Sequence, residues 1–188
     1  GFYIFTFSGN GFLYKQVSPV ERRRLVANLE QAPDGNYYAV YEHQRWFDLT
    51  RRGAELAQDG SRKLGIVSRG GAILARWMRR TGQENPLLTH YDELLDICRK
   101  HNVVISLGDG LRPGGGVDAG DPAQWEEVLT LGVLARRAWK AGVQVMIEGP
   151  GHVPLHLVQA QIQGIKRATF GAPLYVLGPL VTDTAAAR

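Results

Sequence analysis

The chain has 188 residues, 44% hydrophobic and 21% charged, an ordinary globular mixture that excludes a disordered, collagenous or low-complexity protein. Its 22 basic and 18 acidic residues leave a formal charge of +4, a mild excess that suits anionic ligands without implying nucleic acid. No stretch approaches the about 18 uninterrupted apolar residues of a membrane span, and the start GFYIFTFSGNGFLYK lacks a signal-peptide pattern; a soluble intracellular protein is expected. The single cysteine, Cys98, cannot by itself build a disulfide, a zinc site or an iron–sulfur cluster.

Eleven of the 17 aromatic residues, but none of the net charge, fall in residues 1–60, so a seam is expected near residue 60. Before it, FYIFTF and FLYKQV flank Ser8-Gly9-Asn10-Gly11, which reads as a β-hairpin. Ser18, Pro19 and Glu21 read as N-cap, first turn and capping-box acid of a helix carrying Val20, Leu25, Val26 and Leu29. Asp34-Gly35 turns into a short strand, NYYAVYE, and the basic run Arg22-Arg23-Arg24 points in different directions around its helix, as a solvated face does. This small α+β segment carries no function that its residues identify.

From residue 61 the rhythm changes. Short apolar runs at 64–67, 103–107, 143–147 and 174–177 alternate with helical stretches at about 71–80, 91–101, 122–141 and 154–168, the βαβ signature of a parallel sheet with crossover helices. Asp121 and Pro122 start the third helix and Gly142 stops it. Four β/α units are expected.

Each strand runs into a polar, glycine-rich turn: Ser68-Arg69-Gly70-Gly71, Gly108 to Gly114, Glu148 to His152, and Gly178-Pro179. At the C-terminal edge of parallel strands such turns converge on one pocket. The first offers a hydroxyl, a guanidinium and small residues at a helix start, a phosphate cradle or an ordinary βα turn. Asp109 and Arg112 either pair with each other or divide between ribose hydroxyls and an anion. Glu148 ends an apolar strand, where a carboxylate is costly unless paired or ligand-bound. His152 could ligate a metal or serve as acid or base, whereas His156 reads as a packing or capping residue and Cys98 as core packing.

Taken together, GIVSRGG (65–71), SLGDGLRPG (106–114), the run from Thr130 to Pro154 containing EGPGHVP, and LYVLGPLVTD (174–183) closely resemble the phosphomethylpyrimidine synthase family. The resemblance implies a radical S-adenosylmethionine lyase of thiamine biosynthesis on a TIM-type (β/α)8 barrel, of which this chain would hold a partial barrel of about four β/α units. It implies aminoimidazole ribotide as substrate, converted to hydroxymethylpyrimidine phosphate, with a [4Fe–4S] cluster and zinc or another divalent metal. Ser68, Arg69, Gly70, Asp109, Gly110, Leu111, Arg112, Glu148 and Tyr175 match the family's substrate contacts, and His152 matches one of two metal-holding histidines. Homo-oligomers in the bacterial cytoplasm or a plastid stroma, with neither nucleic acid nor membrane as partner, complete that expectation. The same turns suit a paralogue that makes a hydroxybenzimidazole, or a ribotide-binding fragment without catalysis.

The chain also departs from the family. The resemblance implies a CxxCxxxxC cluster motif near the family's C-terminus, and this sequence, ending at Arg188, has one cysteine. The second metal histidine is expected beyond that end, and His43 does not take the place of the family's upstream histidine. Residues 1–60 are expected to be a foreign, shifted or diverged segment, and the isolated chain is expected to be inactive. Catalytic residues are not assigned.

Overall fold

The computed structural model describes residues 2–7, 10–16, 28–31, 37–41 and 48–176. In the first segment it gives strands β1 (Phe2–Phe7), β2 (Asn10–Gln16), β3 (Asn28–Gln31) and β4 (Tyr37–Tyr41), paired antiparallel in the order β1-β2-β4-β3. The expected hairpin is β1–β2, with Phe7 opposite Asn10; Asn10 and Gly11 belong to the second strand rather than to the turn. Tyr37–Tyr41 is the strand read from NYYAVYE, which pairs with β2 and β3. The helix read from Ser18 and the Arg22-Arg23-Arg24 run lie outside the described residues, as does His43, and Leu29, assigned to that helix, lies instead in β3.

The second sheet is parallel, β5 (Ile105–Leu107), β6 (Val145–Gly149) and β7 (Leu174–Val176), in that order. Helices α1 (Arg51–Leu56), α2 (Arg69–Thr81), α3 (Pro86–Thr89) and α4 (Tyr91–Lys100) precede it, and α5 (Pro122–Lys140) and α6 (Leu155–Ala168) make the crossovers. The α5 boundaries follow the local chemistry: the Asp121 side chain accepts from Gln124 N at 2.8 Å, Pro122 opens the helix, and Gly142 follows its end at φ +76°. All of β5 and four of the five residues of β6 are buried, as strands covered on both faces must be. Beneath them Tyr91, Leu95, Leu131, Leu134, Ile147 and Ala172 form the main apolar cluster, and Cys98 is half-buried against it. A second cluster joins Leu49, Ala54, Ala57, Ala75, Met78, Leu111 and Ala123. Residues 48–57 therefore pack against α2 and the start of α5.

The described strands of this α/β region number three, not four. LGIV (64–67) is not a strand: Gly65 sits at φ +61°, a left-handed conformation that interrupts a strand. Leu64 and Val67 are 50% and 44% exposed. The segment's amides go elsewhere, Lys63 N and Leu64 N donating to the two carboxylate oxygens of Asp118 at 2.8 and 2.9 Å. The Gly178-Pro179 turn lies outside the described residues, and among those described no helix is long and apolar enough to cross a membrane.

Candidate functional site

Three of the four polar turns meet. Ser68 is the N-cap of α2 and accepts from Gly71 N at 3.3 Å, which fixes Ser68 to Gly71 as the helix entry. A Cβ on Gly71 would lie 2.8 Å from the Gly110 carbonyl oxygen, and one on Gly108 2.7 Å from that of Glu148. Side chains at either position would push the turns apart, so glycine permits the convergence. The third turn follows β6, whose Glu148 stands opposite Tyr175 of β7 in the parallel register.

Within this site Ser68, Gly70, Asp109, Gly110, Leu111 and Glu148 are buried, Arg112, His152 and Tyr175 are half-buried, and Arg69 is exposed. Asp109 and Arg112 do pair, Nη1 donating to Oδ2 at 2.8 Å. The other oxygen, Asp109 Oδ1, is buried with no hydrogen-bond donor. Burial pushes the Asp109 carboxyl up to about 7 despite the guanidinium, and the charge of Glu148 adds to the rise. Glu148 Oε1 accepts from Ser106 Oγ at 2.6 Å, which offsets part of the cost of a buried acid. Leu111 differs from its neighbours in the site: its side chain is packed into the apolar cluster between α1 and α2, leaving its backbone as the part that faces polar groups.

Three charged residues that the sequence reading did not single out hold the second turn. Glu127, on α5, accepts from Leu111 N at 2.7 Å, and Asp48 accepts from Gly110 N at 3.4 Å. Arg62 donates to Leu111 O at 2.5 Å and Arg112 O at 3.3 Å while gripping Asp121 through Nε and Nη2 at 2.6 and 2.8 Å. Negative groups thus take the turn's N–H donors and a positive one its carbonyls. Burial raises Asp48 and, well above the usual range, Glu127, the latter further raised by the Asp48 charge. A signal for Glu127 was present: in α5 it follows Gln124 by three residues and precedes Leu131 and Leu134 on the buried stripe. Asp48 and Arg62 lie outside any regular element and had no such signal.

His152 adopts φ +56° in the loop after β6. No group of three or more histidine, cysteine or acidic side chains that could hold a metal occurs among the described residues. His156 is exposed and Pro154, not a histidine, is the N-cap of α6, so the packing or capping reading of His156 does not hold.

A family model described as the radical SAM ThiC family matches residues 15–188. The phosphomethylpyrimidine synthase of Halobacterium salinarum is 60% identical over 124 residues, 66% of this chain and 26% of that protein. The one from Pyrococcus abyssi is 56% identical over 165 residues, 84% and 38%, and the one from Thermotoga petrophila 51% over 137 residues, 73% and 32%. The chain thus spans about a quarter to two-fifths of the length of these curated relatives.

Proposed function

The chain belongs to the radical SAM ThiC family, and from that premise we propose that it carries the ribotide-binding part of a phosphomethylpyrimidine synthase of thiamine biosynthesis. The observation that carries the reading is the meeting of the Ser68, Asp109–Arg112 and Glu148 turns. The α2 N-terminus offers free N–H groups, and Arg69 and Arg112 offer guanidinium forks, to the phosphate of aminoimidazole ribotide. Asp109, whose Oδ1 has no donor of its own, and Glu148 accept from its hydroxyl and amino hydrogens, with Tyr175 beside Glu148. The open edges of β5 and β7, which pair with no other described strand, suit closure into a (β/α)8 barrel by further β/α units or by association with another copy. A cytoplasmic location follows from the biosynthetic role.

The family's cofactors fit this chain unequally. When bound, the [4Fe–4S] cluster and S-adenosylmethionine supply the radical, but a cluster needs three thiolates and Cys98 is the one cysteine, half-buried against the core. The cluster does not fit these residues, and the part of the reaction assigned here is binding and orientation. A zinc centre would draw one imidazole from His152 and its other ligands from elsewhere.

Calorimetric titration of the 188-residue chain with aminoimidazole ribotide tests the reading. Saturable binding is expected, weakened roughly tenfold or more in Arg112→Ala because a charge-assisted phosphate contact is lost. Absence of binding at millimolar ribotide would overturn it. No hydroxymethylpyrimidine phosphate is expected when S-adenosylmethionine and a reductant are added anaerobically.

A further inference from the structure

Residues 62–67 do not form a strand, and the contacts they make instead run along residues 111–121. Arg62, buried, donates to the carbonyls of Leu111 and Arg112 and holds Asp121 through two nitrogens, closing back on Gly65 O at 3.3 Å. Asp118, 2% exposed, takes the next two amides, Lys63 N and Leu64 N, one on each carboxylate oxygen. Further along, a Cβ on Gly115 would lie 2.8 Å from Leu64 Cδ1, and one on Gly114 would collide with Val67 Cγ1. Two irregular segments are thus seated on each other at successive points, the last of them next to Ser68. With no strand ladder between them, side chains satisfy their amides and carbonyls and so fix their spacing.

The two segments end where the phosphate contacts begin. Ser68 and Arg69 follow Val67 directly, and Arg112 opens the facing loop. A phosphate gains from two guanidinium forks only when both reach it, so the spacing of the segments governs that contact. Among the described residues Asp118 makes no hydrogen bond to either turn; its carboxylate is spent on Lys63 N and Leu64 N. We propose that Asp118 is a positioning residue for the phosphate end of the ribotide, fastening residues 63–67 to the Arg112 loop so that Arg69 and Arg112 reach one phosphate. It sets where the two turns stand relative to each other, not the shape of either. This role rests on the ribotide reading above.

The test uses the full 188-residue chain and compares aminoimidazole ribotide with its dephosphorylated riboside by calorimetry. Wild type is expected to prefer the ribotide by about tenfold or more, the scale of one charge-assisted phosphate contact. Asp118→Asn sets an N–H donor against one of the two amides and should remove most of that preference, while riboside affinity stays within about twofold. Loss of a merely structural contact would weaken both compounds together. Gly114→Ala leaves the Asp118 carboxylate in place but drives a methyl against Val67 Cγ1, with Leu64 Cβ 3.3 Å away on its other flank. It should act in the same direction, and adding Val67→Ala, which removes the obstructing methyl, should restore the preference. That pair tests the role even if Asp118→Asn does not fold.

A folded Asp118→Asn that keeps the wild-type preference, or that loses ribotide and riboside affinity alike, would overturn the positioning role. So would a Gly114→Ala with unchanged preference, or one that Val67→Ala does not restore. Inorganic phosphate separates this failure from failure of the ribotide reading. A wild-type chain that binds phosphate, and binds it less tightly as Asp118→Asn, yet takes no ribotide would sink the ribotide reading and leave the spacing in place. Ribotide binding indifferent to Asp118 would sink the spacing alone, and binding of neither compound would sink both.

Discussion

Two of the three turns that meet at the site are built by opposite means. The Ser68 turn is capped locally: its hydroxyl accepts from an amide three residues on, and the helix follows directly. The Asp109–Arg112 turn borrows its supports from 16 to 62 residues away, from Glu127, Arg62 and Asp48. A turn at a helix start inherits the helix's rigidity and its free amides. A turn leaving a strand has neither, and here charged side chains from three directions supply what the helix supplies to the other.

The sharpest way to break this comparison is Arg62→Ala. It leaves Asp121 without its buried partner and removes a donor from three carbonyls, those of Gly65, Leu111 and Arg112, and removing one member of such a pair costs about 3–5 kcal/mol. A large drop in the urea midpoint is expected, with the second turn losing amide protection before the first. Next in size is pH. Asp109 stays protonated in the fold up to about 7, whereas its ordinary value is 3.8, so between those values the folded chain holds more protons than the unfolded one. The Asp109 contribution to stability therefore falls as pH rises from about 4 to about 7, by at most about 1.4 kcal/mol per unit, and levels off above. Asp109→Asn should remove that share of the slope in urea midpoints measured across the range, while Gly71 amide protection stays nearly constant throughout.

Smaller effects sharpen the contrast. Gly71→Ala places a methyl against the Gly110 carbonyl and should cost about 1–3 kcal/mol. It should also weaken ribotide binding by moving one turn from the other, which calorimetry reads directly. Ser68→Ala removes the helix cap, which should cost about 1 kcal/mol, with exchange rising at the α2 amides and not at Gly110 or Leu111. Equal changes at both turns would mean that they do not stand independently.

The same contrast explains how far the sequence could be read. Periodicity and capping chemistry placed α2, α4, α5 and α6 within a residue or two, because Ser68, Asp121 and Gly142 act on their own neighbours. The Asp109–Arg112 pair was one of two open readings and is local as well. LGIV (64–67) misled because four apolar residues resemble a strand, whereas the backbone is decided by Gly65 and by Asp118 some 55 residues on. Asp48 and Arg62 could not be found by spacing, since what recruits them is the turn's unsatisfied amides and carbonyls, visible once the chain is folded. Glu127 was legible in principle, as an acid on an apolar stripe that something polar had to meet.

The long reach of Arg62 also sets an order of assembly. Its partner Asp121 is 59 residues further along, and at ribosomal speeds of about 5–20 residues per second that separation is roughly 3–12 s of synthesis. The first turn can form as soon as α2 emerges. The second must wait until the start of α5 has been made, so a nascent chain halted before Glu127 would display one half of the site fully shaped and the other without its frame.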